Sequence, residues 1–89
     1  MPSTTVIVRH ERGLDARHAA RLVQAVKGRA ARVTLSCGCR QADATSITAL
    51  LALGCTQGTP LTLHAEGEEA EEALAAVVAL ITSDFRSDP

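Results

Sequence analysis

The sequence predicts an α+β domain, a four-stranded antiparallel sheet with three helices on one face, in the order β-α-β-β-α-β-α. Two patterns carry that expectation. Short β-branched or alternating segments recur along the chain, and between them apolar residues repeat at helical spacing. A third observation sets the boundaries, because glycines punctuate the chain at Gly13, Gly28, Gly38, Gly54 and Gly67. The 89 residues form one domain, residues 1–89, with no internal repeat, low-complexity tract or linker.

Thr4-Thr5-Val6-Ile7-Val8 is short and β-branched throughout, as a strand should be. Residues 9–13 are a polar loop that ends in glycine. Asp15 then stands where a helix N-cap belongs. Behind it Ala19, Leu22, Val23 and Val26 define one apolar face, and Gly28 is a plausible stop, so the first helix spans about residues 16–27. Arg32-Val33-Thr34-Leu35-Ser36 alternates like a half-buried strand. Cys37-Gly38-Cys39 supplies a turn, and Arg40-Gln41-Ala42-Asp43 returns as its hairpin partner. A short helix over residues 46–53 has a serine cap at Ser46 and stops at Gly54. Pro60 to Ala65 alternates again and reads as the fourth strand. The last helix opens at Gly67 with four glutamates in its first turns, where the positive end of the helix dipole favours them. Its buried face is Ala70, Ala73, Leu74, Val77, Val78 and Ile81.

Composition narrows the function classes. Apolar residues make up 46% of the chain, yet Phe85 is the one aromatic, so the core must be aliphatic. With 9 basic and 10 acidic residues the net charge is −1, which leaves no electrostatic footprint for nucleic acid. Aromatic stacking platforms for single strands are missing as well. No apolar run reaches the length of a membrane span, and no basic segment precedes an apolar stretch as in a signal peptide. A cytoplasmic protein without a nucleic-acid or membrane partner is the expectation. The odd count of three cysteines (Cys37, Cys39 and Cys55) argues against a disulfide framework, and they read as free thiols in and beside a hairpin turn. A structural zinc site wants four ligands, usually from two pairs, and only one close pair is present.

Residues 13–20 read Gly-Leu-Asp-Ala-Arg-His-Ala-Ala. This octet resembles the active-site signature of the histidine-containing phosphocarrier (HPr) family of the bacterial sugar phosphotransferase system. There the segment reads Gly-Leu-His-Ala-Arg-Pro-Ala, and its histidine carries the phosphoryl group. Gly13, Leu14, Ala16, Arg17 and Ala19 fit, while Asp15 holds the nucleophile position and His18 the proline position. The family also has Ser-Ile at the start of its short helix and Leu-Gly at its end, as in Ser46-Ile47 and Leu53-Gly54 here. The element order matches the family's open-faced β-sandwich. The resemblance implies a phosphoryl carrier, not a turnover enzyme, with no cofactor or metal. It implies receipt of phosphate from enzyme I and delivery to enzyme IIA.

Three readings of the altered nucleophile stay open. Asp15 is simply a helix cap and the site carries no phosphate, as in the regulatory paralogues of the family that lack the active histidine. Alternatively His18, one turn along on the same helix face, takes over. Asp15 then accepts a hydrogen bond from one ring nitrogen, and the other stays nucleophilic. Or Asp15 itself becomes an acyl phosphate. Against the second reading stands a plainer one, in which His18 is a tolerated surface residue replacing proline in the first turn. In all three, Arg17 and the helix start keep an anion-binding character.

The resemblance also makes Ser46 a phosphorylation site for a serine kinase, with the phosphoprotein binding a transcriptional repressor. Its partner surface maps to Arg12, Ala20, Ile47, Leu51 and Gly54, with Thr48 more polar than the family's usual methionine. His10 and His64 read as surface residues, although His10 lies near the motif. A rival from another class is a small thiol or metal-binding protein using Cys37, Cys39 and Cys55. A small-molecule regulator is a third, and it needs an apolar pocket.

Overall fold

The computed structural model describes residues 2–10 and 13–83. Its elements are β1 (Ser3–Ile7), α1 (Ala16–Val26), β2 (Arg32–Cys37), β3 (Arg40–Asp43), α2 (Ile47–Ala52), β4 (Pro60–Glu66) and α3 (Ala70–Thr82). The strands form one antiparallel sheet in the order β1-β4-β2-β3, so the last strand inserts beside the first. This is the expected α+β architecture, with three helices and an open sheet.

Strand alternation decides which face is covered. Val6 pairs with Leu61, Leu35 pairs with both Leu63 and Ala42, and Val33 pairs with Ala65. All of these are buried. The opposite face carries Thr5, Thr62, His64 and Ile7, none of them buried. Helix α3 lies against β1, β2 and β4, α2 packs against β3, and α1 packs against α2 and α3. Leu22, Leu35, Leu50, Leu61, Leu63 and Ile81 are the largest fully buried side chains, each worth about 1.5–3 kcal/mol of burial. The core is aliphatic, as the composition requires.

The hairpin between β2 and β3 is tight. Cys37 pairs with Arg40, so Gly38 and Cys39 form a two-residue loop, and Gly38 takes φ 64° as the favoured hairpin turns demand. From β3, the Arg40 guanidinium donates to the Ala52 carbonyl at 3.1 Å and thereby satisfies the end of α2.

One boundary differs from the sequence expectation. Of the four glutamates placed in the first turns of the last helix, Glu71 and Glu72 lie there, whereas Glu68 and Glu69 precede it. Gly67 explains the delay. Its φ is +116°, and a Cβ there would meet the Ala30 carbonyl oxygen at 2.5 Å. The chain must turn against the α1–β2 loop before a helix can begin. Glu69 then serves that loop: its carboxylate accepts the Ala30 amide at 2.7 Å, and its own amide donates to the Ala30 carbonyl at 3.0 Å. No helix among the described residues is long and apolar enough to cross a membrane.

Candidate functional site

The start of α1 is built by three consecutive residues. Gly13 has φ 68°, and a Cβ on it would lie 1.9 Å from the Cys55 carbonyl oxygen, so only glycine fits. Leu14 is buried and anchors the loop in the core. Asp15 is extended, at φ −95° and ψ −179°, and caps the helix. Its Oδ1 accepts the His18 amide at 3.0 Å, and its carbonyl accepts the Ala19 amide at 2.9 Å. The His18 amide holds the Asp15 carboxyl below its ordinary pKa; burial opposes this, while the His18 charge, the Arg17 amide and the His10 charge add to it.

His18 follows one turn later, and the structure buries it to 6% exposure. That corrects the alternative in which His18 is a tolerated surface residue. The apolar face of α1 is wide enough to take the ring beside Ala19 and Leu22. The His18 Nδ1 lies 3.2 Å from the Gly13 carbonyl oxygen and 3.4 Å from Asp15 Oδ1. A carbonyl can only accept, so Nδ1 carries the proton of the neutral ring and the lone pair resides on Nε2. The His10 ring meets His18 edge-on, with centroids 4.3 Å apart and planes at 75°. His10 is half-buried, not a plain surface residue. Its place near the motif was the one signal for this contact.

The other candidates distribute around this centre. Arg17 is exposed at the helix start, and Ala20 is half-buried. Arg12 lies outside the described residues. On α2, Ser46 is the N-cap, and its hydroxyl accepts the Ala49 amide at 3.2 Å. Ile47 and Leu51 are each 41% exposed and stand one turn apart. Thr48 and Gly54 are exposed beside them. Because α2 packs on α1, the apolar pair belongs to the same layer as the helix that carries the site.

The thiols are arranged differently from the spacing of Cys37 and Cys39. Cys39 is exposed, while Cys37 packs against the core that contains Cys55. Burial first, and then the influence of the Cys37 thiol, push the Cys55 thiol up to about 12. Among the described residues no group of three or more His, Cys, Asp or Glu side chains is placed to hold a metal ion. A shallow groove of about 300 Å³ between β3 and α2 is lined by Arg40, Gln41, Ala49, Ala52 and Leu53.

Chemically, the α1 start offers a cation in Arg17 and a helix N-terminus that attracts negative charge. The Asp15 carboxylate already takes one of the amides there, that of His18. What remains for group transfer is an imidazole whose tautomer is set from below.

The family model for the PTS HPr component phosphorylation site matches residues 2–83. The chain is 38% identical over 81 residues to the phosphocarrier protein HPr of Haemophilus influenzae, covering 91% of this chain and 95% of that one. It is 39% identical over 85 residues to the phosphocarrier protein NPr of Escherichia coli, covering 94% of each. Among solved structures, HPr-C-His from Thermoanaerobacter tengcongensis superposes with a TM-score of 0.91 at 34% identity over the whole of both chains.

Proposed function

The chain belongs to the HPr family of the phosphotransferase system, and from that premise we propose that it is a phosphocarrier whose phosphoryl group rides on His18. Enzyme I is the donor and an enzyme IIA the acceptor. The observation that carries the choice of residue is the contact of His18 Nδ1 with the Gly13 carbonyl and the Asp15 carboxylate. With that nitrogen protonated, the Nε2 lone pair attacks the phosphorus of the charged donor. A P–N bond forms as the donor's bond to phosphorus breaks. The ring then gains positive charge, which the Asp15 carboxylate stabilises through Nδ1–H. Arg17 offsets the charge of the arriving phosphoryl group.

Burial of the ring sets a condition on this chemistry. Docking has to uncover the His18 ring, which is buried and packs edge-on with His10, before Nε2 is reached. Ile47 and Leu51 are the apolar contacts for the docking partner. Ser46 is the regulatory position, where a phosphate added by a serine kinase would face the amides of the α2 start and alter docking, including to a repressor.

The test compares wild-type protein with His18→Ala, Asp15→Asn and Arg17→Ala in phosphoryl transfer from phosphoenolpyruvate through enzyme I. Label is expected on the wild type, none on His18→Ala, and slower labelling of Asp15→Asn and Arg17→Ala. Full labelling of His18→Ala would remove His18 from the mechanism. Absence of label on wild type would leave a docking module without transfer.

A further inference from the structure

We propose that His10 is a positioning residue for phosphoryl transfer. Its ring, edge-on to His18, holds the imidazole plane in which Nδ1 reaches the Gly13 carbonyl and Nε2 is left as nucleophile. The inference rests on the reading that His18 carries the phosphoryl group. Two contacts tie His10 to the site. The ring centroids of His10 and His18 lie 4.3 Å apart with planes at 75°. The His10 carbonyl accepts the Gly13 amide at 2.9 Å, and the Gly13 carbonyl in turn meets His18 Nδ1 at 3.2 Å. His10, Gly13 and His18 therefore close a circuit, with backbone contacts on one side and the two rings on the other.

A ring positions another only if it is itself held. Val8, two residues earlier, is buried; its amide donates to the Thr59 carbonyl at 3.0 Å, and its carbonyl accepts the Gly58 amide at 2.8 Å. The Gln57 side-chain amide donates to the Arg9 carbonyl at 3.1 Å, and the Arg9 guanidinium donates to the Thr82 carbonyl at 3.4 Å. The approach to His10 is thus fastened both to the loop before β4 and to the end of α3. His10 itself is half-buried.

The torsion of a histidine ring explains why such a residue matters. Rotation about the bond to the ring is broad, so the α1 backbone alone leaves the plane of His18 loosely set. A hydrogen bond from Nδ1–H to the Gly13 carbonyl requires that oxygen to lie near the line of the N–H. The Gly13 and Asp15 oxygens, at 3.2 and 3.4 Å from Nδ1, choose the ring edge. The edge-on contact with His10 holds the plane in which that choice is made.

The experiment reads His18 in wild type, His10→Ala and His10→Phe, first by 15N NMR of the uncharged ring and then by labelling rate from phosphoenolpyruvate through enzyme I. Wild type and His10→Phe, which keeps an aromatic edge, are expected to show Nδ1 protonated and Nε2 bare at His18. In His10→Ala a mixture of the two tautomers is expected, with labelling about threefold to tenfold slower, the size of one aromatic pair. Unlabelled wild type would overturn the carrier reading, and the NMR comparison would still decide whether His10 sets the ring. A wild-type tautomer in His10→Ala, a mixed tautomer without slower labelling of a chargeable protein, or a His10→Phe as defective as His10→Ala would overturn the proposal.

Discussion

The starts of α1 and α2 use the same local device and put it to opposite ends. In each, a polar side chain at the N-cap accepts the amide three residues on, from Asp15 to His18 at 3.0 Å and from Ser46 to Ala49 at 3.2 Å. At α1 the cap is a carboxylate and the third residue is a buried imidazole packed edge-on with His10. At α2 the cap is a hydroxyl and the first turn shows Ile47 to solvent. One start is closed and charged, the other open and apolar. The difference teaches that a cap motif sets only the helix; the neighbouring loop decides whether the start holds chemistry or a contact surface. Gly13 pressed on Cys55 closes the first, whereas Gly54 has nothing nearer than the Arg40 guanidinium at 3.5 Å.

That contrast is broken most severely at the two glycines. Gly13→Ala adds a Cβ where the Cys55 carbonyl stands and leaves φ at +68°. It should cost about 2–4 kcal/mol in urea unfolding and disturb His18. Gly54→Ala meets the same φ penalty at 67° without the clash, so about 1 kcal/mol is expected. Equal costs at the two sites would remove the distinction between closed and open starts.

The caps separate next, by pH. Asp15→Ala and Ser46→Ala should each cost about 1 kcal/mol near neutrality. The Asp15 carboxyl has its pKa lowered in the folded protein, so its contribution is present above the unfolded value near about 4. That contribution is lost as pH falls through the lower folded value. The gap between wild type and Asp15→Ala should therefore shrink in acid, while the Ser46→Ala gap stays flat. Asp43, held low mainly by the Thr45 hydroxyl and amide, adds to the acid sensitivity of wild type and both variants alike. Denaturation midpoints at several acidic pH values check this.

Much of the molecule was legible in the sequence, for physical reasons that also mark the limit. Strand alternation and helix faces are local, so all seven elements were placed to within a few residues. The largest offset came at Glu68 and Glu69, where the start of α3 depends on a contact with Ala30 that no local pattern reports. The motif at residues 13–20 marked the cap and the glycine turn of the candidate site, because both are also local. The burial of His18, its contact with His10 and the packing of Cys37 against the core were not legible. Each depends on segments brought together by packing.

The smallest stability effect is expected on the open start. Ile47→Ser and Leu51→Ser remove partly exposed side chains, so stability should change by about 0.5 kcal/mol or less. Partner binding, measured by titration with enzyme I or an enzyme IIA, should weaken clearly. A large loss of stability with unchanged binding would show that the pair is core, not surface.

The central claim concerns one nitrogen. Protein carrying 15N-labelled histidine, charged from phosphoenolpyruvate through enzyme I, can be read by NMR at each ring. The account predicts an acid-labile phosphate on Nε2 of His18, with Nδ1 still protonated. Phosphate on Nδ1, a hydroxylamine-sensitive phosphate on Asp15, or no phosphate under conditions that charge an ordinary family member would contradict it.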